Sequence, residues 1–364
     1  MTIEELDTPA VVVDVDVMEA NIRSLAAYCK QHNLSLRPHT KTHKIPTIAQ
    51  MQVQAGFPGI TVAKVGEAEI MAAAGLEDIL VAYPVFGHSK ALRLGELART
   101  CKVTVSLDSA EVAEGLSAAA RETGSTLGIL VEFDVGMRRC GVQSASALVE
   151  LAQRVEKLPH LRLAGISFYP GHIWAASDAQ GPQLEQLTLR VQTMLEATRA
   201  NGLNCEVVSG GSTPTAYNSH RVRGLTEIRS GTYVFNDRNT LGVGACHLEQ
   251  CALRVVVTVV SHAVSGRAII DGGSKAFSSD RWLSGEQTGF GLIPEHPAIR
   301  FETVSEEHGH LDVTALDCPP RIGQRLTIIP NHVCACVNMH DRIYLHRKGA
   351  IEATLAVAGR GKVQ

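Results

Sequence analysis

Lys41 stands in the stretch Arg37-Pro38-His39-Thr40-Lys41-Thr42-His43-Lys44, between two histidines and after a proline. A lysine partly withdrawn from water loses some of its preference for the charged form. Its free amine can then condense with an aldehyde cofactor to a Schiff base. Gly210-Gly211-Ser212-Thr213 combines two glycines with two hydroxyls. Glycines let the backbone approach a phosphate, which amides and hydroxyls then bind. Arg139 offers a guanidinium to an anionic oxygen on a ring. In Pro330-Asn331-His332-Val333-Cys334, the histidine and cysteine are two residues apart. On an extended segment that spacing sends both side chains to one side, and imidazole with thiolate suits zinc. Two ligands leave positions for water, substrate or another residue. Cys336 continues the alternation as a spare candidate, and His308 lies in the polar run Glu306-Glu307-His308-Gly309-His310. Each feature has a plainer reading: a solvated lysine, a Gly-Gly turn, a surface ion pair, an accidental His-x-Cys, a solvated turn.

Something must bring these residues together, and the strand pattern supplies a candidate. Eight β-rich runs succeed one another: Leu34 to Lys41, Gly59 to Lys64, Asp78 to Pro84, Val103 to Asp108, Leu127 to Val135, Leu163 to Tyr169, Cys205 to Ser209 and Glu227 to Phe235. Between them lie Ala- and Leu-rich segments of helical period, among them Gly66 to Ala74, Ser144 to Val155 and Gln183 to Ala200. Such alternation implies parallel strands with helices outside, and eight units imply a TIM-type (β/α)8 barrel. A doubly wound sheet is the rival. The active site of such a barrel lies at the C-terminal ends of its strands. Lys41 ends run 1, Arg139 follows run 5, Tyr169 and His172 close run 6, Gly210 to Thr213 follow run 7, and Arg229, Tyr233 and Asp237 belong to run 8. All could face one pocket. After about residue 250 the texture changes to short strands with turns, led by Ala252 to Val260 and Arg267 to Asp271 and followed by Arg325 to Pro330 and Arg342 to Gly349. That reads as a mostly antiparallel β domain, which the early strand Ala10 to Val15 joins. The expected division is a barrel over 16–245 and a β domain over 246–364 together with 1–15.

Composition narrows the function classes. Of 364 residues, 45% are hydrophobic and 20% charged, as in an ordinary globular protein, and the formal net charge is -3. With no Lys/Arg cluster, nucleic-acid binding has little support. No apolar run reaches the length of a membrane span. The first residues, Met1-Thr2-Ile3-Glu4-Glu5, are acidic where a secretory leader is basic and then apolar, so the cytoplasm is the expected location. The nine cysteines are an odd number and cannot all pair.

Taken in order, these motifs resemble one family. Leu6-Asp7-Thr8-Pro9, the Arg37–Lys44 stretch, Arg139-Cys140-Gly141-Val142, Ser209 to Thr215, Arg229-Ser230-Gly231-Thr232-Tyr233, Glu307-His308-Gly309 and Pro330 to Cys334 are similar to those of the D-threonine aldolase / D-serine dehydratase group. These are fold-type III pyridoxal-phosphate (PLP) enzymes with an alanine racemase-like barrel, and the resemblance covers nearly the whole chain. It implies that Lys41 carries PLP, Arg139 contacts its phenolic oxygen, and Gly210, Gly211, Ser212 and Thr213 hold its phosphate. Tyr169 and Tyr233 would lie near the cofactor. His332 and Cys334 would bind a divalent metal, zinc ahead of manganese or magnesium, that holds the substrate's β-hydroxyl. The substrate would be a D-β-hydroxy amino acid and the assembly a homodimer. The aldolases carry His-x-Asp where this chain has His-x-Cys, as the dehydratases do, and Ser212-Thr213-Pro214-Thr215 also follows the dehydratases. Tyr169-Pro170-Gly171-His172 departs from both groups; an aldolase histidine is replaced near Ala175, with His172 as a stand-in. Dehydration to a keto acid and ammonia is therefore favoured over retro-aldol cleavage. A racemase and a non-catalytic PLP-binding protein are further alternatives.

Overall fold

The computed structural model describes residues 1–282 and 288–364. The chain runs through β1 (Ala10–Asp14), α1 (Val15–Gln31), β2 (Ser35–Leu36), α2 (Pro46–Gln54), β3 (Ile60–Val62), α3 (Val65–Ala73), β4 (Asp78–Val81), α4 (His88–Leu97), β5 (Lys102–Leu107), α5 (Ala110–Thr123), β6 (Leu127–Glu132), α6 (Ala145–Lys157), β7 (Leu161–Ser167), α7 (Gly181–Ala200), β8 (Val207–Gly210), β9 (Glu227–Ile228) and α8 (Arg238–Gly242). Strands β10 (Leu253–Ser261), β11 (Arg267–Ile270), β12 (Gly291–Leu292), β13 (Arg300–Val304), β14 (Gly309–Asp312), β15 (Arg325–Pro330), β16 (Arg342–Arg347) and β17 (Ala350–Ala356) follow. The residues form two compact units. One comprises Met1–Ile22, Thr42–Ile45 and Thr232–Arg360, the other Arg23–Lys41, Pro46–Gly231 and Gly361–Gln364.

The second of these units is the eight-stranded barrel that the alternation implies. Its strands are parallel, in the order β2-β9-β8-β7-β6-β5-β4-β3. The ends meet where the Thr61 N–H donates to the Pro38 carbonyl at 2.8 Å and His39 bridges Thr61. The helices follow from local sequence. Ser144 caps α6 by accepting the Ala147 N–H, and Leu148, Leu151, Ala152 and Val155 bury one face at helical spacing. α5 stops at Gly124, which takes the left-handed conformation at the C-terminal cap.

Two of the eight runs shrink to strands of only two residues. In the first, only Ser35 and Leu36 pair regularly with β9. Pro38 has no N–H to give to a ladder, and Thr40–Thr42 coil into a 3-10 turn. Lys41 therefore stands in that turn and not on a strand end. In the last run the ladder covers Glu227 and Ile228, and Thr232–Val234 form another 3-10 turn.

The other unit holds a nine-stranded sheet in the order β13-β14-β11-β10-β1-β16-β17, with β15 pairing β10 and β12. Every pairing is antiparallel except β1 with β16. The early strand thus joins the β unit, as its sequence implies. No helix among the described residues is long and apolar enough to cross a membrane. All nine cysteines are free thiols.

Candidate active site

A cavity of about 360 Å³ opens among the strand-end loops of the barrel. Its polar walls are His39, Lys41, Glu132, Arg139, Tyr169 and Arg229. They come from the segments at the C-terminal ends of β2, β6, β7 and β9. The Lys41 Nζ lies 5.8 Å from the Tyr169 ring centroid and the Arg139 guanidinium 4.8 Å from it. Both are within the range of attraction to the negative face of an aromatic ring. Arg229 is buried, with one nitrogen donating to Ser209 Oγ at 2.8 Å and the other to the Phe168 carbonyl at 2.9 Å.

Charge in this cavity is lopsided. Three cations face one carboxylate, Glu132, and burial raises the Glu132 pKa above the ordinary carboxylate range even though Arg229 and Arg139 pull it down. Burial first, and then Lys41 and Arg229, hold the His39 imidazole well below its usual range. His39 Nδ1 lies 3.4 Å from the Lys41 backbone N–H, which donates to it. The site thus offers a neutral imidazole, an amine and two guanidiniums around one tyrosine, a donor set suited to an anionic, ring-bearing ligand with a carbonyl. Its volume is within the usual range for small-molecule pockets.

Gly210 ends β8, Gly211 to Thr213 follow it, and none of them lines this cavity, but the Arg229 backbone N–H donates to the Gly210 carbonyl at 2.9 Å. A Cβ on Gly210 would fall 2.3 Å from the Phe168 ring, and Gly211 has φ +83, so both positions require glycine. The loop is braced by the Ser230 hydroxyl on the Ser212 carbonyl at 3.1 Å and by Ser212 Oγ against Thr215 Oγ1, also at 3.1 Å. The Ser212 N–H is also turned inward, to Thr215 Oγ1 at 3.3 Å. His172 is exposed and its ring lies over Gly136, outside the cavity wall.

The remaining sequence candidates belong to the β unit. Tyr233 is buried in its 3-10 turn. His332 Nδ1 lies 3.0 Å from Asp237 Oδ2, and the same carboxylate oxygen accepts the Val333 N–H at 3.1 Å. The His332 pKa is raised well above the usual range, first by Cys334, and the Asp237 carboxylate adds to the effect. Cys334 Sγ contacts Thr42 Oγ1 at 3.4 Å and Thr232 Oγ1 at 3.8 Å. The extended geometry expected for His332 and Cys334 is corrected here. His332 is extended, but a short helix, Val333–Val337, begins directly after it. Asp237 supplies the acceptor that a helix N-terminus needs. Cys336 is fully buried, its thiol 3.2 Å from the Ala276 carbonyl and pushed up to about 12 by burial. That is no setting for a ligand thiolate. His308 is exposed, in the solvated turn of the plainer reading. Among the described residues no three His, Cys, Asp or Glu side chains converge on a metal position. The pair fits a metal in donor type, and a carboxylate on Nδ1 leaves Nε2 as the ring nitrogen for an ion.

Sequence reasoning placed Arg229 at the pocket without assigning it a task, and gave no role to Glu132 or His39. Glu132 ends the otherwise apolar strand Leu127–Glu132, and a lone charge closing a buried strand was the available signal.

A closed (β/α)8 barrel with a lysine at its mouth, joined in one chain to an antiparallel β unit, defines the alanine racemase-like class. Residues 13–239 match the alanine racemase N-terminal domain, and residues 252–346 the putative serine dehydratase domain. The chain is 32% identical to the D-threonine aldolase of Arthrobacter sp, over 98% of this chain and 93% of that one. It is 35% identical to the D-threo-3-hydroxyaspartate dehydratase of Delftia sp., over 92% of each. Among solved structures, the D-threonine aldolase from Filomicrobium marinum superposes with a TM-score of 0.91 at 30% identity, covering 100% of this chain and 98% of that one. A cysteine-to-alanine mutant of a D-threo-3-hydroxyaspartate dehydratase, in the metal-free form, superposes with a TM-score of 0.89 at 32% identity, covering 98% of each. The chain belongs to the alanine racemase N-terminal domain family, in the branch that carries the serine dehydratase domain, and it is an enzyme of the lyase type found there.

Proposed function

We propose that the chain is a PLP- and divalent-metal-dependent lyase that dehydrates a D-β-hydroxy amino acid to a keto acid and ammonia. The observation that carries the reading is the barrel cavity, where Lys41 and Arg139 lie over one tyrosine ring and Arg229 lines the same wall. In this reading Lys41 Nζ holds the carbonyl of PLP, and Arg139 binds its phenolic oxygen. Gly210, Gly211, Ser212 and Thr213 cradle its phosphate, and Tyr169 lies against the cofactor. Bound PLP supplies an electron sink for charge left at the substrate's α-carbon. Arg139 and Arg229 balance the ligand's negative charge. His332 and Cys334 hold a divalent metal, zinc ahead of manganese or magnesium because of the nitrogen and sulfur donors, and Asp237 orients the imidazole. Such an ion acts as a Lewis acid on a hydroxyl oxygen. His172 is given no part, and Tyr233 serves at most as a buried support. A homodimer in the cytoplasm is the expected assembly. Four exposed apolar side chains on the barrel's strand-end loops, Tyr83, Phe86, Met137 and Trp174, support a covered face there.

Loss of the substrate's α-proton and β-hydroxide leaves an enamine that hydrolyses to keto acid and ammonia. Retro-aldol cleavage to glycine and an aldehyde is the second reading, favoured by the identity to the Arthrobacter aldolase. The test is a panel of D-serine, D-threonine and D-3-hydroxyaspartate with zinc, manganese or magnesium, scoring keto acid and glycine separately. Keto acid with equimolar ammonia is expected; glycine as the sole amino product would replace dehydration by aldol cleavage.

A further inference from the structure

Much of the barrel interior is apolar, with Leu80, Leu130 and Ala164 packed as one cluster. One side is different. There a continuous polar chain descends from the cavity to the opposite mouth. Arg229 donates to Ser209 Oγ at 2.8 Å, and Ser209 Oγ donates to Glu227 Oε1 at 2.7 Å. Glu227 Oε2 accepts from Arg37 Nε at 2.9 Å, and Arg37 donates to Asp78 Oδ1 at 2.6 Å. Asp78 Oδ2 meets the exposed Lys102 Nζ at 2.8 Å. Arg229, Ser209, Glu227 and Arg37 are all buried.

We propose that Ser209 and Glu227 are positioning residues that hold the Arg229 guanidinium at the wall of the cofactor cavity. This rests on the reading of that cavity as the PLP site. The polarity of the chain is forced. A carboxylate only accepts, so the one Ser209 proton goes to Glu227 and a Ser209 lone pair faces Arg229. Arg37 fixes Glu227 from below, and Asp78 fixes Arg37 in turn. Buried arginines without such partners would be strongly disfavoured. A guanidinium so gripped keeps its place as charge changes in the cavity beside it, and such pre-set electrostatics are effective in a water-poor site.

The experiment compares wild type with Ser209→Ala, Ser209→Thr and Glu227→Gln. In the cofactor-free protein, phenylglyoxal modification of Arg229 is followed by peptide mapping and normalised to the exposed Arg139. Ser209→Ala should speed modification of Arg229 roughly tenfold, the scale of one hydrogen bond to a charged group. Ser209→Thr, which keeps the hydroxyl, should restore the slow rate. Glu227→Gln, whose amide can donate to Ser209 and redirect its proton, should behave like Ser209→Ala, and it serves if that variant fails to fold. In the loaded protein the visible band of the lysine-bound cofactor should shift in Ser209→Ala and Glu227→Gln but not in Ser209→Thr. Unchanged Arg229 reactivity and an unshifted band in both, with only a lower melting temperature, would reduce the chain to scaffold and overturn the proposal. A wild type that never acquires a visible band with PLP overturns the cofactor reading instead, and the modification rates still decide whether Ser209 and Glu227 grip Arg229.

Discussion

The charged side chains, His39 and Tyr169 in the barrel cavity come from four separate strand ends, and Arg229 among them is anchored to a further strand and to a loop carbonyl. In the β unit, imidazole and thiol come from one short stretch, and the imidazole leans on one carboxylate, Asp237. The first arrangement is distributed, so removing one member leaves the others placed. The second is concentrated, so one substitution outside the pair disturbs both the histidine and the helix that presents the cysteine. Fixed chemistry benefits from the first design, and exchangeable ligands tolerate the second.

The comparison breaks at once if Lys41 is not the cofactor lysine. Lys41→Ala should abolish turnover, and borohydride reduction followed by peptide mapping should label Lys41 in the wild type. A label on Lys44 would move the centre of the barrel site elsewhere. Next in size is the β unit. Cys334→Ala should behave like chelated enzyme, inactive but with its cofactor absorbance intact. Asp237→Asn keeps a good helix cap yet removes the charge from His332, and zinc affinity should fall about 10- to 100-fold, measured by competition with a chromogenic chelator. Cofactor absorbance lost with the metal would show that the two sites are not independent. A smaller effect is expected from Gly211→Val. Its φ of +83 strains a branched residue by roughly 1–3 kcal/mol. A loop that relaxes away from the phosphate-binding shape should bind PLP about tenfold more weakly in equilibrium dialysis, with zinc affinity unchanged.

The smallest effect sharpens the electrostatics. The His39 pKa is depressed in the folded protein, so the unfolded chain binds the extra proton first as pH falls. The stability that neutral His39 contributes is complete above the ordinary imidazole pKa and is lost as pH falls below it, by at most about 1.4 kcal/mol per pH unit. His39→Gln should flatten the denaturation free energy between pH 7 and pH 5 relative to wild type. Parallel profiles for the two proteins would mean that the imidazole is not held neutral by its surroundings.

Much of this was legible in the sequence because apolar strands of a parallel barrel, buried on both faces, stand out as runs. All eight runs contain a strand, and Lys41, Arg139 and Tyr169 do meet at one cavity. The shortfalls have local causes. Pro38 and the 3-10 turn after it truncate the first ladder, which residue preference alone does not announce. The bend between His332 and Cys334 depends on Asp237, 95 residues earlier in the chain, and spacing cannot report a distant acceptor. Glu132 was missed because a carboxylate ending an apolar run reads as its solvated edge, whereas the Arg229 guanidinium that helps accommodate it follows β9, about a hundred residues further on.

The junction of β3 with the Pro38–His39 segment has one more consequence. The barrel is hooped shut there by an isolated bridge and a Thr61 amide, two residues ahead of Lys41. The stave that bears the lysine is therefore a thin one, with two residues in its ladder. A ligand riveted to Lys41 and to the loop after β8 would clasp the hoop across that stave, and a ligand that binds only the closed form stabilises it by mass action. Cofactor loading then becomes part of completing the fold. Amide exchange at Thr61 should slow on loading more than at the mid-barrel amides of β5 and β6, whose neighbours already hold them on both sides.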